Sequence, residues 1–252
     1  MPEDALEAKI TQYLKAKIAN GICLAFSGGV DSALLLHFLA ACQKNNAGVL
    51  AVTFDTELFP YEDIEFARSF SALYNFKHVV LPVNVLSDKK LRYNPVDRCY
   101  HCKSMLFAQL KYLADQERLS CIMDGTNATD LGQYRPGIKA LQEQGICSPW
   151  AELGITKAQI RQLAQKLALP VAARPSAPCI ATRFPYGAEL DTKVIEKLIS
   201  GEKLLKALDI TTVRLRYYSG LVRIEVMEQD FNLLLKHKTT VDRKSTRLNS
   251  SH

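Results

Sequence analysis

The feature that most restricts what this chain can fold into is a short glycine-containing loop between two apolar runs. Residues 27–32 read Ser-Gly-Gly-Val-Asp-Ser, after a run typical of a buried strand and before one typical of a helix. Adjacent glycines let the chain turn sharply and approach a ligand, and the first turn of a helix presents unpaired N–H groups to an anion. The loop is therefore predicted to bind phosphate, with hydroxyl donors from Ser27 and Ser32 and with Asp31 as a Mg²⁺ ligand.

The motif of this loop separates it from other phosphate-binding loops. No G-x-x-x-x-G-K-[ST] pattern is present, so it is not a Walker A loop. The alternative is a strand–turn–helix corner that needs glycine for its geometry alone. All six positions match the S-G-G-x-D-S loop of the ATP pyrophosphatases, which the sequence resembles. These enzymes split ATP into AMP and pyrophosphate to activate a carboxylate, carbonyl or ring oxygen.

Strand and helix patterns alternate along the first part of the chain. Strands separated by helices require a parallel sheet with right-handed crossovers. The predicted fold is therefore α/β, a parallel sheet with helices on both faces, as in the PP-loop ATP pyrophosphatases (adenine nucleotide alpha hydrolase-like). The predicted strands occupy residues 22–26, 49–54, 79–83 and 121–124. Besides the helix that starts near Ser32, the predicted helices occupy residues 6–18, 61–74, 103–117 and 157–167.

A second loop follows the last of these strands. Parallel sheets bind their ligands beyond the carboxyl ends of the strands, and both loops lie at such ends. They are predicted to line one nucleotide pocket, to which the second loop contributes Asp124, Gly125 and Asn127.

A proline-rich segment separates a large part of the chain from a small one. Prolines recur between residues 170 and 185, which is typical of a linker or a functional loop. Beyond it, a helical pattern and two short strand patterns predict a small α+β domain. The predicted division is residues 1–170 for the large domain, 171–241 for the interdomain loop and small domain, and 242–252 for a disordered or non-native tail.

Composition, the N-terminal residues and charge argue in turn against a membrane-spanning, a secreted and a nucleic-acid-binding protein. The longest nearly apolar stretch, residues 33–42, is well short of the roughly 20 apolar residues that span a membrane. Acidic Glu3 and Asp4 with no apolar run behind them predict no secretory signal and a cytoplasmic protein. The formal net charge of +6 is a weak indication of an anionic partner, because a mixed-charge surface explains it as well. Nucleic acid is therefore not an expected partner.

Seven cysteines in a cytoplasmic protein indicate metal-binding, reactive or buried residues and not a disulfide framework. The C-x-x-C of Cys99 and Cys102 is compatible with a redox dithiol, a zinc site or an iron–sulfur site, and Cys179 supplies a third thiolate. Three thiolates suit a [4Fe–4S] cluster with one open iron site, whereas structural zinc needs a fourth ligand such as His101. Cys147 is ambiguous, and three cysteines in apolar runs are predicted to be inert: Cys23, Cys42 and Cys121.

Five motifs taken together are more specific than any one of them. They are S-G-G-V-D-S at 27–32, D-G-T-N at 124–127, Y-R-P-G at 134–137, R-F-P-Y-G at 183–187 and V-R-L-R at 213–216. In this combination the chain resembles the LarE family over nearly all of its length. LarE proteins are ATP-dependent sulfurtransferases that act on pyridinium-3,5-biscarboxylic acid mononucleotide in the biosynthesis of the nickel-pincer cofactor.

The resemblance implies a reaction and its cofactors, ATP, Mg²⁺ and an iron–sulfur cluster. ATP adenylylates a substrate carboxylate, pyrophosphate leaves, and a sulfur nucleophile displaces AMP to give a thiocarboxylate. One branch of the family sacrifices a cysteine, which becomes dehydroalanine, and Pro178 stands at that position here. The chain therefore resembles the three-cysteine branch, in which Cys99, Cys102 and Cys179 hold a [4Fe–4S] cluster that carries an extra sulfide.

The resemblance also implies roles for single residues and a homo-oligomer, while the sulfide donor stays unidentified. The pyrophosphate would be held by Ser27, Gly28, Gly29 and Ser32. The predicted catalytic residues are Asp31, Lys103, which would neutralise charge on the α-phosphate, Cys179 and Arg183. The phosphate of the mononucleotide would be bound by Thr182, Arg183, Arg214 and Arg216, because guanidinium forks suit phosphate oxygens. Spacing alone would place Arg214 and Arg216 on an exposed strand face, and Glu202 would pair with an arginine.

Two other functions compete with this one. A tRNA thiolase of the same superfamily would use the same ATP loop and cluster on a base oxygen. The modest charge and the scattered aromatic residues near basic ones argue against it. A non-catalytic nucleotide sensor with structural zinc is the third possibility, and iron and sulfide analysis separates it from the first two.

Overall fold

The computed structural model describes residues 3–19, 21–42, 48–174 and 178–242. The predicted tail at 242–252 lies outside these ranges except for Asp242, and so does Pro175 of the proline-rich segment. The chain divides into two compact units. The first contains the residues up to Leu91 together with Val96–Ala177, and the second combines Arg92–Pro95 with the residues from Pro178 onward. Nothing in the sequence indicates that residues 92–95 belong with the second unit.

The first unit contains a parallel sheet, which confirms the predicted α/β fold class. Its strands are β1 (Ile22–Ala25), β2 (Val49–Asp55), β3 (Lys77–Pro82) and β4 (Cys121–Met123). They lie in the order β3-β2-β1-β4, and every pairing is parallel. Strand β1 is therefore central, and the loops after β1 and β4 leave neighbouring strands at the same edge of the sheet.

Helices flank this sheet and supply most of the first unit. They are α1 (Glu3–Ile18), α2 (Val30–Cys42), α3 (Tyr61–Leu73), α4 (Lys89–Arg92), α5 (Arg98–Gln116), α6 (Ala128–Leu131), α7 (Pro136–Glu143), α8 (Pro149–Glu152) and α9 (Lys157–Lys166). Among the helices within the described ranges, none is long and apolar enough to cross a membrane.

Helix α2 lies at the centre of the core of the first unit. Leu34, Leu35 and Leu36 have no exposed surface, and three successive helical residues point to different sides of the helix. The helix is therefore surrounded by protein, as expected for one that is apolar on all faces. Burying one leucine contributes about 1.5–3 kcal/mol, so this packing fixes the position of α2 and of the loop before it.

Helix α5 begins earlier than the sequence predicts. The predicted start was Lys103, whereas the helix starts at Arg98 with Asp97 at its N-cap. Asp97 is a residue type favoured at helix N-caps, although its side chain makes no capping hydrogen bond here. With this earlier start, Cys99 and Cys102 lie on the first turns of a helix and not in a preceding loop.

The second unit contains a two-stranded antiparallel sheet and one long helix. A 3₁₀ turn at Ile180–Arg183 precedes α10 (Thr192–Lys206), β5 (Val213–Tyr218), β6 (Leu221–Val226), a second 3₁₀ turn at Glu228–Asp230 and α11 (Phe231–Lys236). A Cβ atom on Gly201 would lie 2.5 Å from Leu215 Cδ1. Glycine at this position therefore lets α10 pack closely on β5, as in other α+β arrangements.

Candidate functional site

The loop at residues 27–32 joins β1 to α2, in the strand–loop–helix arrangement that the sequence predicts. Gly28 has φ +70°, a left-handed conformation that favours glycine. The Gly29 N–H donates to Ser27 Oγ over 3.3 Å, and the Ser32 hydroxyl donates to the Gly29 carbonyl over 3.1 Å. Ser27 Oγ lies 3.2 Å from Ser32 Oγ. Both hydroxyls are therefore held together beside the first turn of α2.

Arg174 secures this loop from a distant part of the chain. Its guanidinium donates to the Gly28 carbonyl over 3.1 Å and to the Asp63 carboxylate over 2.5 Å. The same group lies 4.2 Å from the centroid of the Phe66 ring, a cation–π contact. The Gly28 turn is thus held by the Arg174 guanidinium, whose charge is paired with the Asp63 carboxylate.

The loop after β4 approaches the start of α2 closely. A Cβ atom on Gly125 would lie 3.0 Å from the Ser32 nitrogen and 3.1 Å from Asp31 Cβ, so only glycine fits without movement. Asn127 caps α6 by accepting hydrogen bonds from the N–H groups of Thr129 and Asp130. With its oxygen used in this way, its Nδ2 donates to Asp31 Oδ1 over 3.1 Å. The two loops predicted to form one pocket therefore meet at Asp31.

Asp31 is the centre of this meeting point. Its Oδ2 accepts a short hydrogen bond from the Lys157 ammonium, and its main-chain carbonyl accepts one from Trp150 Nε1 over 2.9 Å. Lys157 is the first residue of α9, whose N-terminus is closed by a capping box between Thr156 and Gln159. The carboxylate is therefore held by one amide and one cation in a fixed orientation.

Asp124 is the second buried carboxylate of the site. It accepts hydrogen bonds from the Thr126 N–H at 3.2 Å, the Thr126 hydroxyl at 2.5 Å and the Ser148 hydroxyl at 2.6 Å. The Lys103 ammonium lies 3.6 Å from Asp124 Oδ2. Asp124 is thus fully engaged in shaping its own loop, and it brings the charge of Lys103 to the edge of the sheet.

Helix α7 packs against the aliphatic part of the Lys103 side chain. A Cβ atom on Gly137 would lie 2.9 Å from Lys103 Cδ and 3.2 Å from the Cys99 carbonyl. Gly137 therefore lets α7 pack directly on the first turns of α5. This contact gives the Y-R-P-G motif, which ends at Gly137, a structural reason: it orients the lysine.

The three predicted cluster ligands are distributed over both units. Cys99 is exposed and Cys102 is half-buried on α5 in the first unit, while Cys179 is half-buried at the N-cap of the 3₁₀ turn in the second. None of them is in a disulfide. Among the described residues, no group of three His, Cys, Asp or Glu side chains is arranged to hold a metal ion. His101, the alternative zinc ligand, places Nε2 3.1 Å from Asp97 Oδ2.

In the second unit, Arg183 is committed to an internal ion pair. Its Nε and Nη2 donate to the two oxygens of Glu202 over 2.6 and 3.1 Å, and both side chains are buried. Glu202 also accepts the Leu215 N–H over 2.9 Å. Only Nη1 faces elsewhere, and it donates to Thr182 Oγ1 over 2.9 Å. The expected pairing of Glu202 with an arginine is present, and the fork of Arg183 is used within the protein.

Arg214 and Arg216 differ in environment although they share a face of β5. Arg214 is exposed, and its guanidinium makes no hydrogen bond or ion pair with the residues that the structure describes. Arg216 is half-buried and donates to Glu225 Oε2 over 2.7 Å and to the Thr182 carbonyl over 2.8 Å. Hydrogen bonds from Arg216 and then Arg223 hold the pKa of Glu225 below its ordinary value.

The remaining cysteines are not all alike. Cys23 is fully buried, and burial raises the pKa of its thiol to about 12, in keeping with an inert residue. Cys121 and Cys147 are half-buried neighbours, and a hydrogen bond from the Cys121 thiol lowers the pKa of Cys147 to about 6. Tyr13 also contacts Cys147, with 3.5 Å between its hydroxyl and Sγ.

Two functional residues escaped the sequence reasoning, Lys157 and Arg174. They reach the loop from 126 and 146 positions away, so no local pattern contains them. One signal was present for Lys157. A cation in the first turn of a helix opposes the helix dipole, which indicates that its charge serves something other than the helix.

Gly125→Ala tests how tightly the two loops must meet. We expect it to destabilise the protein by about 1–3 kcal/mol through overpacking and to reduce ATP binding at least as strongly. Thermal unfolding and an ATP titration measure the two effects. Gly132→Ala is the matched control, because the nearest atom to its added Cβ would be 3.7 Å away. Equal behaviour of the two variants would contradict the close approach.

Comparison with known proteins gives the following relationships. Residues 2–172 match the family model of the PP-loop domain. The pyridinium-3,5-bisthiocarboxylic acid mononucleotide synthase of Lactiplantibacillus plantarum is 31% identical over 236 residues, covering 94% of this chain and 85% of the relative. An uncharacterised protein of Synechocystis is 37% identical over 203 residues, covering 81% and 75%. The NH3-dependent NAD synthetase of Campylobacter jejuni superposes with a TM-score of 0.54 at 19% identity, over 84% of this chain and 90% of that one, which is a likeness of fold.

Proposed function

Because this chain belongs to the LarE family of PP-loop enzymes and is an ATP-dependent sulfurtransferase, we propose that its substrate is pyridinium-3,5-biscarboxylic acid mononucleotide. It would adenylylate one carboxylate and convert it to a thiocarboxylate, a step of nickel-pincer cofactor biosynthesis. The observation that supports this most is the meeting of two loops at Asp31, between Asn127 and Lys157. It supplies anion donors, a carboxylate and cations at the edge of one sheet.

The chemistry explains why ATP is consumed. A carboxylate is a poor electrophile because its leaving group would be oxide. When its oxygen attacks the α-phosphorus, the bond to the β-phosphate oxygen breaks and pyrophosphate leaves. Sulfide then attacks the acyl carbon, the bond to the AMP oxygen breaks, and a thiocarboxylate, AMP and a proton are formed. The leaving group is pyrophosphate in the first step and AMP in the second, so oxide never has to leave the carboxyl carbon.

The loop residues would stabilise the departing pyrophosphate. Hydroxyls of Ser27 and Ser32 and main-chain N–H groups at Gly28 and Gly29 would donate to it at a helix N-terminus, where negative charge is favoured. The Gly29 N–H and the Ser32 hydroxyl would exchange their bonds within the loop for bonds to phosphate oxygens. Lys103 would offset charge on the α-phosphate, from its position beside Asp124. Lys157 would share this role, because its ammonium already lies in the site on Asp31.

Asp31 fits the role of a magnesium ligand. Mg²⁺ is usually bound by one or two carboxylates together with phosphate oxygens and water, and Asp31 presents a carboxylate next to the phosphate loop. Its two oxygens are held by Asn127 and Lys157, so its orientation does not depend on the ion. Bound Mg²⁺ would neutralise charge on the pyrophosphate.

Three cysteines fit an iron–sulfur cluster in their chemistry. Cys99, Cys102 and Cys179 are partly exposed and are not in disulfides, and thiolates are the usual ligands of [4Fe–4S] clusters. Cys99 and Cys102 are one helical turn apart, which puts both on one side of α5. A cluster with one open iron site would supply the sulfide that attacks the adenylate. With Pro178 at the sacrificial position, the protein would turn over repeatedly.

The second unit would bind the phosphate of the mononucleotide. Arg214 and Arg216 lie on one face of β5, and Arg214 is exposed with its fork available. Arg183 and Thr182 would shape this region more than bind phosphate directly, since the guanidinium of Arg183 is held by Glu202.

The decisive experiment is a product analysis under anaerobic conditions. Protein reconstituted with iron and sulfide is incubated with ATP, Mg²⁺, sulfide and the mononucleotide, and products are identified by mass spectrometry. We expect thiocarboxylate with equal amounts of AMP and pyrophosphate. Parallel reactions with tRNA test the competing thiolase function. Thiolated tRNA and an unchanged mononucleotide would contradict the proposal.

Arg214→Lys tests the phosphate site. We expect mononucleotide binding to weaken about tenfold while ATP binding is unchanged, because an ammonium keeps the charge but cannot form the bidentate fork. Binding of both ligands is measured by calorimetry. Arg68→Lys, at an exposed ion pair on α3, is the control and should behave like the parent. Parent-like mononucleotide affinity in Arg214→Lys would remove Arg214 from the site.

A further inference from the structure

Asn94 is a buried polar residue in the short segment Arg92–Pro95, which belongs to the second unit. It has no exposed surface, and its φ of +45° lies in the left-handed region, which asparagine tolerates better than most residues. Neither the motifs nor the comparisons assign it a role. Its amide nitrogen is bonded within the second unit, whereas its buried Oδ1 has no hydrogen-bond partner among the described residues.

The side-chain amide of Asn94 faces three main-chain carbonyls. Its Nδ2 donates to the carbonyls of Pro185 over 2.8 Å, Phe184 over 3.2 Å and Ala181 over 3.3 Å. The nitrogen carries two hydrogens, so one of these contacts is shared. The three acceptors fix which end of the amide is nitrogen, because the opposite orientation would place its oxygen against three carbonyl oxygens.

The main chain of this segment adds further bonds to the same region. The Asn94 carbonyl accepts the Gly187 N–H over 3.1 Å, and the Arg92 carbonyl accepts the Leu190 N–H over 2.8 Å. Arg92 also pairs with Glu189 over 2.9 Å. Residues 92–94 therefore bind the stretch from residue 181 to residue 190, and Asn94 makes most of these hydrogen bonds.

The stretch that Asn94 binds contains Thr182 and Arg183, the two residues that would shape the proposed phosphate site. Both residues lie between Ala181 and Phe184, whose carbonyls accept from the Asn94 amide. Their other bonds go to Arg216, which donates to the Thr182 carbonyl, and to Glu202, which pairs with Arg183. Asn94, Glu202 and Arg216 therefore all hold this turn. The Thr182 carbonyl of this turn accepts from the guanidinium of Arg216 and so fixes its position.

We propose that Asn94 is a positioning residue for mononucleotide binding. Through the turn at residues 181–185 it sets the position of Thr182 and, through the Thr182 carbonyl, of the guanidinium of Arg216. The identity of the ligand, the phosphate of a pyridine mononucleotide, rests on the proposed function. The effect of Asn94 on the turn does not. Asn94 does not touch the substrate.

Two substitutions separate the side chain of Asn94 from its backbone. Asn94→Asp keeps the shape but turns the donor into an acceptor, so a carboxylate faces three carbonyls. Asn94→Gly keeps the left-handed backbone and removes the hydrogen bonds without repulsion. We expect the KM for the mononucleotide to rise about tenfold or more in Asn94→Asp and by less in Asn94→Gly. The KM for ATP should stay within about twofold, since the ATP loop is in the first unit.

Hydrogen exchange gives a readout that does not depend on the substrate. Amides of residues 182–187 should exchange faster in both variants than in the parent, while those of α2 should not change. Asn75→Asp is the matched control, because Asn75 also has a positive φ, of 54°, but is exposed. It should match the parent in both measurements.

The outcomes separate the inference from the proposed function. Unchanged exchange and unchanged mononucleotide KM in Asn94→Asp would overturn the inference, and so would an equal rise of both KM values in Asn94→Gly, which indicates a general loss of stability. If the parent protein does not use the mononucleotide at all, the proposed function fails. The exchange of residues 182–187 then still decides whether Asn94 holds this turn.

Discussion

Replacing Asp31 with asparagine is expected to slow pyrophosphate release from ATP by about a hundredfold or more, the size of effect seen when a preorganised charge is removed from an active site. Both carboxylate oxygens accept from donors, the Asn127 amide and the Lys157 ammonium. An asparagine amide has only one oxygen. Whichever way it is turned, its NH₂ group therefore faces one of these two donors and cannot accept from it. The variant therefore loses the charge that would bind Mg²⁺ and also misplaces Lys157.

Pyrophosphate release and thermal unfolding are measured together for this variant. Asp115→Asn is the control, since Asp115 is exposed in the last turn of α5, ahead of β4, and so lies away from the carboxyl ends of the strands. We expect Asp31→Asn to remain folded, because the packing of α2 does not involve this side chain. A rate close to that of the parent would show that Asp31 does not bind the metal.

Replacing any one of Cys99, Cys102 and Cys179 with alanine is expected to abolish sulfur transfer. Each variant should also bind less iron and sulfide, because a [4Fe–4S] cluster with three protein ligands does not tolerate the loss of one. Pyrophosphate release should remain measurable, since the contacts described above for the ATP loop are made by Asn127, Lys157 and Arg174. Iron, sulfide and pyrophosphate assays on the same preparations test the three statements.

Cys23→Ala provides the control for these variants. Cys23 is fully buried in β1, so its loss should reduce stability by about 1 kcal/mol through a small cavity and leave iron content unchanged. The parent should also make more than one thiolated product per chain when sulfide is supplied. One product per chain, with a protein mass that corresponds to dehydroalanine at Cys179, would instead indicate a sacrificial enzyme.

Local signals explain which parts of the fold could be predicted. The apolar run of β1, the two glycines and the apolar α2 lie within twenty residues of each other, and each is a short-range pattern. The start of α5 is misplaced although Asp97 is a favoured N-cap residue, because residues 98–102 show no apolar helical period. The helices α4, α6 and α8 are missed because four residues are too few to show such a period.

Contacts between distant residues explain what could not be predicted. Lys157 and Arg174 act on the ATP loop only because the sheet brings α9 and the segment after it to the carboxyl end of β1. Arg183 has the residue type of a phosphate ligand, but its partner Glu202 comes from the next helix. Whether an arginine fork is available to a ligand depends on such a partner, and sequence spacing does not contain that information.

Trp150 gives the protein an optical reporter of its own. It is the single tryptophan of the chain, and its ring is completely buried with the indole N–H bonded to the main chain of Asp31. Indole emission depends on the polarity and hydrogen bonding around the ring, so all of it originates beside the first turn of α2. Nucleotide binding at this turn should therefore change the fluorescence of the unlabelled protein, and stopped-flow mixing can follow it in real time, in every variant that keeps this residue.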